Sequence, residues 1–208
     1  MTGIQARLFL SHLGDEWLDR NRSTMAQEDT VSDLVEELGI TPTAVLELGC
    51  CTGWRLKKMR AKYKCAILGI DPSQKAIAEA GEPANFIVGT ADNLSMVGER
   101  ACDMVIFGYC LWGTDIEDWF KIVAESDRVL RPHGYIIIHD YAVARPFRRR
   151  YYGTYTSHFD WPTLWTANPG YRMILERYIA HKSVCTSVLQ KDYDNAIPVA
   201  HEEADNDE

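Results

Sequence analysis

A chain of 208 residues with 46% hydrophobic content is long enough for one well-formed core, and the length favours a single domain. The formal net charge of −8 is concentrated at one end: seven acidic residues and no Lys or Arg lie between Asp192 and Glu208, leaving about −1 for the rest. No apolar run approaches the roughly 20 residues a bilayer-crossing helix needs, and the six cysteines lack C-x-x-C or Cys/His ligand spacing. With no signal peptide, they read as reduced thiols of a soluble, cytoplasmic protein without a metal site.

In chain order, Ile4, Leu8, Leu13 and Trp17 recur at helical spacing over residues 1–22. They predict an N-terminal helical cap, 1–27, that covers core surface or closes over a ligand. Residues 28–38 predict a scaffold helix with Val31, Leu34, Val35 and Leu38 on one face, an Asp29 or Thr30 cap and a Gly39 stop. A buried strand over 44–48 then runs into the turn Gly49-Cys50-Cys51-Thr52-Gly53, with Thr52 placed to cap a helix over 55–63 whose lysines face water. Strands over 66–71, 85–88 and 102–107 follow, with a helix between the first two opened by Pro72 and closed by Gly81. The loop Gly108-Tyr109-Cys110-Leu111-Trp112-Gly113 leads to a helix capped by Thr114 or Asp115 and ending near 130, then to a fifth strand reaching Asp140. A short helix near Asp160 and Pro162 and two strands over 171–180 and 183–191 complete the body. Strands alternating with helices imply right-handed parallel crossovers. The expected fold is α/β, a doubly wound, mostly parallel seven-stranded sheet with helices on both faces and the last strand antiparallel. The domain spans 1–191, and 192–208 forms a disordered acidic tail.

Ligands of such sheets bind beyond the carboxyl ends of the strands, where Gly49–Gly53 sits. Asp71, ending the second strand, suits ribose hydroxyls. The NAD fingerprint G-x-G-x-x-G fails here, because Cys51 and Trp54 replace its second and third glycines. Glu47-Leu48-Gly49 through Gly53, Gly69-Ile70-Asp71-Pro72 and Ala91-Asp92 instead resemble the first three motifs of class I S-adenosylmethionine-dependent methyltransferases, with Cys51 where many members carry glycine. The resemblance implies S-adenosyl-L-methionine as cofactor. Glu47, Gly49, Cys51 and Gly53 would surround its methionine part, Asp71 and Pro72 the ribose, and Ala91 and Asp92 the adenine, over a floor of Phe107 and Gly108.

The run from Arg128 through His133-Gly134 resembles the R-V-L-K-P-G-G segment of small-molecule methyltransferases. Gly53-Trp54-Arg55-Leu56, Phe107-Gly108-Tyr109-Cys110-Leu111 and Leu164-Trp165-Thr166-Ala167-Asn168-Pro169 resemble a subgroup from glycan-modifying clusters. The N/D-P-P-Y/F motif of many amino-methylating members is absent. For the acceptor, Tyr109 and Trp112 read as pocket walls or as packing aromatics. His139 is the better base candidate, with Asp140 placed to orient it or the acceptor, unless strand alternation turns one of the two into a supporting hydrogen-bonded position. His158 is the alternative base. The segment Arg145-Pro146-Phe147-Arg148-Arg149-Arg150-Tyr151-Tyr152 reads as a solvated loop or as recognition of an anionic acceptor, with Arg148 and Tyr151 as contacts. The acceptor expected is a small molecule or saccharide hydroxyl. The rivals are RNA or protein methylation, nucleic acid being the disfavoured partner, and a non-catalytic cofactor-binding subunit.

Overall fold

The computed structural model describes residues 3–23 and 29–192, so the tail beyond Asp192 and its expected disorder lie outside the described residues. The strands are β1 (Ala44–Leu48), β2 (Ala66–Asp71), β3 (Phe86–Val88), β4 (Cys102–Gly108), β5 (Leu130–Tyr141), β6 (Phe147–Tyr151), β7 (Thr154–His158), β8 (Tyr171–Ile179) and β9 (Val184–Lys191). Seven of them make one sheet in the order β3-β2-β1-β4-β5-β9-β8. Pairing is parallel from β3 to β5, and β9 runs antiparallel to both of its neighbours, as expected of the last strand. The chain order reverses between β1 and β4, which places a crevice beyond the carboxyl ends of those two strands.

Central strands β4 and β5 carry unbroken apolar runs because both of their faces are covered. On one face Val45, Met104, Ile106 and Ile137 pack against α3 (Thr30–Glu37) and α4 (Trp54–Tyr63) through Val31, Leu34, Leu56 and Met59. On the other, Leu46, Leu48, Phe107 and Ile138 meet Ile122, Val129 and Trp165 of the helices over Trp119–Val129 and Thr163–Thr166. This period of two decides which way each strand-end residue points.

The N-terminal helix differs from a continuous amphipathic rod. Helical segments α1 (Ile4–Leu8) and α2 (Gly14–Asn21) are joined by a π-helical turn, Phe9–Leu13, which shifts the face presented downstream. Ile4 is therefore exposed, while Gln5, Leu13 and Leu18 are buried. The expected Thr114 or Asp115 cap is also replaced. Asp115 accepts from Gln5 N at 2.7 Å and Asp118 from Gly3 N at 2.9 Å, so these carboxylates satisfy the free N–H groups of the N-terminal helix. The helix they precede starts only at Trp119.

Among the caps, Asp29 accepts from Ser32 N at 3.2 Å as expected. Ser73, one residue past Pro72, caps the helix Gln74–Ala80 by accepting from Ala76 N at 3.0 Å. Thr52 caps nothing, because Gly53 takes the N-cap position of α4 at φ +68 with no side-chain bond. The basic segment after β5 is a hairpin, not a loop: β6 and β7 pair antiparallel around Tyr152-Gly153, whose positive φ values of 40 and 82 fit a two-residue primed turn.

A Cβ at Gly53 would meet the Phe86 ring, and φ +68 is unfavourable for any side chain. We expect Gly53→Ala to lower the unfolding free energy by about 2–4 kcal/mol in urea denaturation, with an unchanged m-value.

Candidate functional site

The turn after β1 is built by hydrogen bonds to β2. Gly49 N and Cys50 N donate to Ile70 O at 2.8 and 3.2 Å. Cys51 N donates to Asp71 Oδ2 and Ser73 N to Asp71 Oδ1, both at 2.8 Å. Asp71 thus ties the turn to the next loop with one lone pair of each oxygen, keeping the others for a ligand hydroxyl. Burial pushes its carboxyl up to about 6. Cys51 sits at φ +50, a conformation that costs a side-chain-bearing residue about 1–2 kcal/mol. Asp71 holds it there.

Two cavities flank this turn. The first is lined by Asp71, Pro72, Ala91 and Asp92 on one side and by Gly108, Tyr109 and Trp112 on the other. Phe9, Gly14 and Trp17 of the N-terminal segment form its roof. That roof is fastened by Asp15, which accepts from Ser73 Oγ at 2.6 Å and Lys75 N at 3.0 Å, and by Arg22, which grips Glu79 at 2.7 and 2.8 Å. The second cavity, of about 500 Å³, shares Gly49, Cys51, Gly108 and Tyr109 with the first and extends to Glu47, Arg55 and His139. Its size lies within the range usual for small-molecule sites.

Glu47 is 1% exposed, on the α3/α4 side of β1. Its Oε1 is paired with Arg55 Nη1, while Arg55 Nε donates to Asp29 Oδ1 at 3.1 Å and Lys58 closes on Asp29 Oδ2 at 3.0 Å. Glu47 Oε2 is buried and has no hydrogen-bond partner among the described residues. Burial outweighs Arg55 and pushes the Glu47 carboxyl up to about 7. Gly108 passes close to this pair: a Cβ on it would lie 2.8 Å from Arg55 Nη1 and 2.9 Å from Glu47 Oε1. The sequence reading missed Arg55 as a partner of Glu47. One signal for it existed, since a basic residue in the first turn of a helix opposes the helix dipole and calls for a specific anion.

Among the acceptor candidates, Tyr109, Trp112 and His139 line the second cavity. Alternation separates His139 from Asp140. His139 shares the face of Ile137, its Nδ1 2.6 Å from Thr186 Oγ1. Asp140 turns to the opposite face, accepting from Leu111 N at 2.9 Å and Tyr141 N at 2.7 Å, and lines neither cavity. Its carboxyl, pushed up to about 7 by burial, holds the Tyr109–Gly113 loop in place. His158 is buried in the hairpin, stacked on Phe147 at 4.5 Å, outside both cavities.

Phe107 is likewise turned into the core against Trp165, and Gly53 packs on Phe86, so neither forms cavity surface. Arg148 lies over Tyr155 on the exposed face of the hairpin. Tyr151 supports the wall from behind, packing on Trp112 at 5.0 Å and accepting from Arg20 at 3.0 Å. The six cysteines are unpaired thiols, and among the described residues no group of three His, Cys, Asp or Glu could hold a metal ion. No helix among the described residues is long and apolar enough to cross a membrane.

Comparison with known proteins places this geometry. Residues 46–138 match the methyltransferase domain family. The chain is 26% identical over 136 residues to the tRNA N(3)-methylcytidine methyltransferase trm140 of Schizosaccharomyces pombe, covering 58% of this chain and 44% of that one, so it spans less than half of that relative. The fold is similar to Burkholderia thailandensis 1,6-didemethyltoxoflavin-N1-methyltransferase, solved with 1,6-didemethyltoxoflavin and S-adenosylhomocysteine (TM-score 0.73, 17% identity, 90% and 89% of the two chains). It is also similar to an S-adenosylmethionine-dependent methyltransferase from Methanosarcina mazei (TM-score 0.61, 17% identity, 76% and 97%). The sheet is the Rossmann-like methyltransferase fold.

Removing Arg55 strands a buried carboxylate unless Glu47 takes up a proton. We expect Arg55→Met to cost about 3–5 kcal/mol at pH 8. The folded-state carboxyl is raised, so the penalty shrinks as pH falls below that value and Glu47 becomes neutral. Urea denaturation at pH 8 and pH 5 checks this, and an equal loss at both pH values contradicts it.

Proposed function

We propose that this chain is an S-adenosylmethionine-dependent methyltransferase whose acceptor is a small molecule bearing a hydroxyl. The observation that carries the reading is the pair of cavities joined over Gly49, Cys51, Gly108 and Tyr109 at the point where the strand order reverses. Asp71, with lone pairs to spare, suits the ribose, and Ala91 and Asp92 suit the adenine in the first cavity. Glu47 Oε2, a buried acceptor without a donor, suits the ammonium of the methionine part in the second. The residues present therefore fit this cofactor, and a dinucleotide is disfavoured by the absent glycines.

When bound, the cofactor supplies a methyl group on a sulfonium centre that is already a good leaving group. What remains for the chain is alignment and exclusion of water, which together contribute several kcal/mol. β4 ends at Gly108, with Tyr109 following it, between the two cavities, and the fastened roof of Phe9, Gly14 and Trp17 covers the first. The size of the second cavity supports a small acceptor, as does the Burkholderia neighbour, whose bound ligands are a small heterocycle and S-adenosylhomocysteine.

A second reading, RNA as acceptor, is favoured by one surface. On the outer face of the β6–β7 hairpin Arg148 and Arg150 flank the exposed Tyr155, a pattern suited to phosphate and base stacking. Its measure is a steep salt dependence of RNA affinity, with a slope reduced by about 1 for each of Arg148, Arg149 and Arg150 replaced by Ala.

Calorimetric titration with S-adenosylmethionine and S-adenosylhomocysteine tests the main reading. Micromolar binding is expected, weakened about 10- to 100-fold by Asp71→Ala through the lost charged hydrogen bonds. No binding by the folded wild type would sink the methyltransferase reading. Binding without conversion of any acceptor would leave a cofactor-binding subunit.

A further inference from the structure

The second cavity holds hydrogen-bond donors and rings but no strong base, and this limits what can be methylated there. His139 decides the matter. Its Nδ1 lies 2.6 Å from Thr186 Oγ1, and both residues are buried. Were the ring to donate to Oγ1, the Thr186 hydroxyl would need an acceptor of its own, and no other side-chain partner for it stands among the described residues. A buried hydroxyl keeps its bond only by donating to Nδ1. That assignment puts the proton of the neutral ring on Nε2, at the edge remote from Thr186 in a ring that lines the cavity.

A second proton is disfavoured by burial and by the positive charges of Arg55 on α4 and Lys182 before β9, against which Asp29 pulls the other way, and the His139 pKa falls to about 4. The Tyr109 ring closes on it edge-on at 4.7 Å. The other titratable side chains of the cavity offer no base in its place. Glu47 gives one oxygen to Arg55 and, on the methyltransferase reading, the other to the ammonium of the cofactor, the Cys50 and Cys51 thiols are pushed well up by burial, Tyr109 and Tyr141 are phenols, and Lys182 brings positive charge. The walls also carry the rings of Trp17, Trp54, Trp112 and Tyr141, with Ile179 and Val184 beside them.

Resting on the methyltransferase reading, we infer that the acceptor is a flat ring carrying an acidic hydroxyl, a phenol or an enol, held as its oxyanion by the His139 Nε2–H, so that His139 is a hydrogen-bond donor and not a base. The acceptor loses its proton to solvent before it docks. The oxyanion lone pair then forms the O–CH3 bond while the methyl–sulfur bond breaks and returns its electron pair to sulfur. The sulfonium becomes a neutral thioether and the oxyanion a neutral ether. Cancellation of opposite charges is favoured where ring walls exclude water.

The probe is 4-nitrophenol, whose phenolate absorbs at longer wavelength than the phenol, titrated against pH with the full chain saturated by S-adenosylhomocysteine. The phenolate is expected to bind at least tenfold more tightly than the phenol, read as a lowered pKa of the bound probe. His139→Ala should erase most of that preference, whereas His139→Gln, which keeps an N–H donor, should retain it within a few-fold. Thr186→Val should weaken it and Thr186→Ser restore it. In turnover, the rising limb of kcat/KM against pH should move with the acceptor's own pKa across a series of substituted phenols. The inference is overturned if the probe fails to bind or binds as neutral phenol, if Gln is as damaging as Ala at position 139, if the pH limb stays fixed across the series, or if an aliphatic sugar hydroxyl is methylated and phenols are not. Calorimetry keeps the two readings apart: failure to bind S-adenosylhomocysteine sinks the methyltransferase assignment, whereas binding it without preferring the phenolate sinks this inference alone.

Discussion

The buried carboxylate of Glu47 is the constraint around which the site is arranged. It lies at the carboxyl end of the first strand, where burying a charge demands a partner. Arg55, two residues into α4, supplies that partner and simultaneously grips Asp29, the cap of α3. One ion chain therefore fixes strand and two helices relative to each other. Because Arg55 occupies only one Glu47 oxygen, the other remains an acceptor in the cavity. Stability and the cavity wall draw on the same side chain, and Gly108, at the end of the neighbouring strand, is small because it passes beside that pair.

The second carboxylate, Asp71, acts on the backbone instead. By accepting from Cys51 N and Ser73 N it holds the turn in a conformation that costs a cysteine free energy. Strain at a cavity-lining turn is tolerable where surrounding bonds over-determine it. The N-terminal segment adds a roof fastened by Asp15, Asp115 and Asp118. Asp115, which reads locally as a helix cap, thus serves with Asp15 and Asp118 as a long-range anchor. The hydrogen bonds they make span more than fifty residues of sequence, beyond the reach of any local pattern.

Two departures from the sequence reading share one cause. His139 and Asp140 are neighbours in sequence, but strand alternation sends one to the cavity and the other to the loop that shapes it. Phe107 and Gly108 separate in the same way. The hairpin carrying Arg148, Tyr151 and His158 was hidden because its strands are polar and only half covered, so they lack the apolar signature of β4 and β5. Its Tyr152-Gly153 turn was the available clue.

Local sequence signals were enough for the seven-stranded doubly wound sheet, its antiparallel last strand and the gathering of Gly49, Asp71, Ala91 and Asp92 around one cavity beyond the strand ends. Each follows from local information: apolar runs, glycines at turns and carboxylates at strand ends. The pairing of Arg55 with Glu47, the meeting of His139 with Thr186 and the turn of Asp140 onto the Tyr109–Gly113 loop came from tertiary contacts alone. Those roles depend on which groups meet across the sheet when water is removed, because a buried polar atom takes its chemistry from its partner and not from its neighbours in the chain.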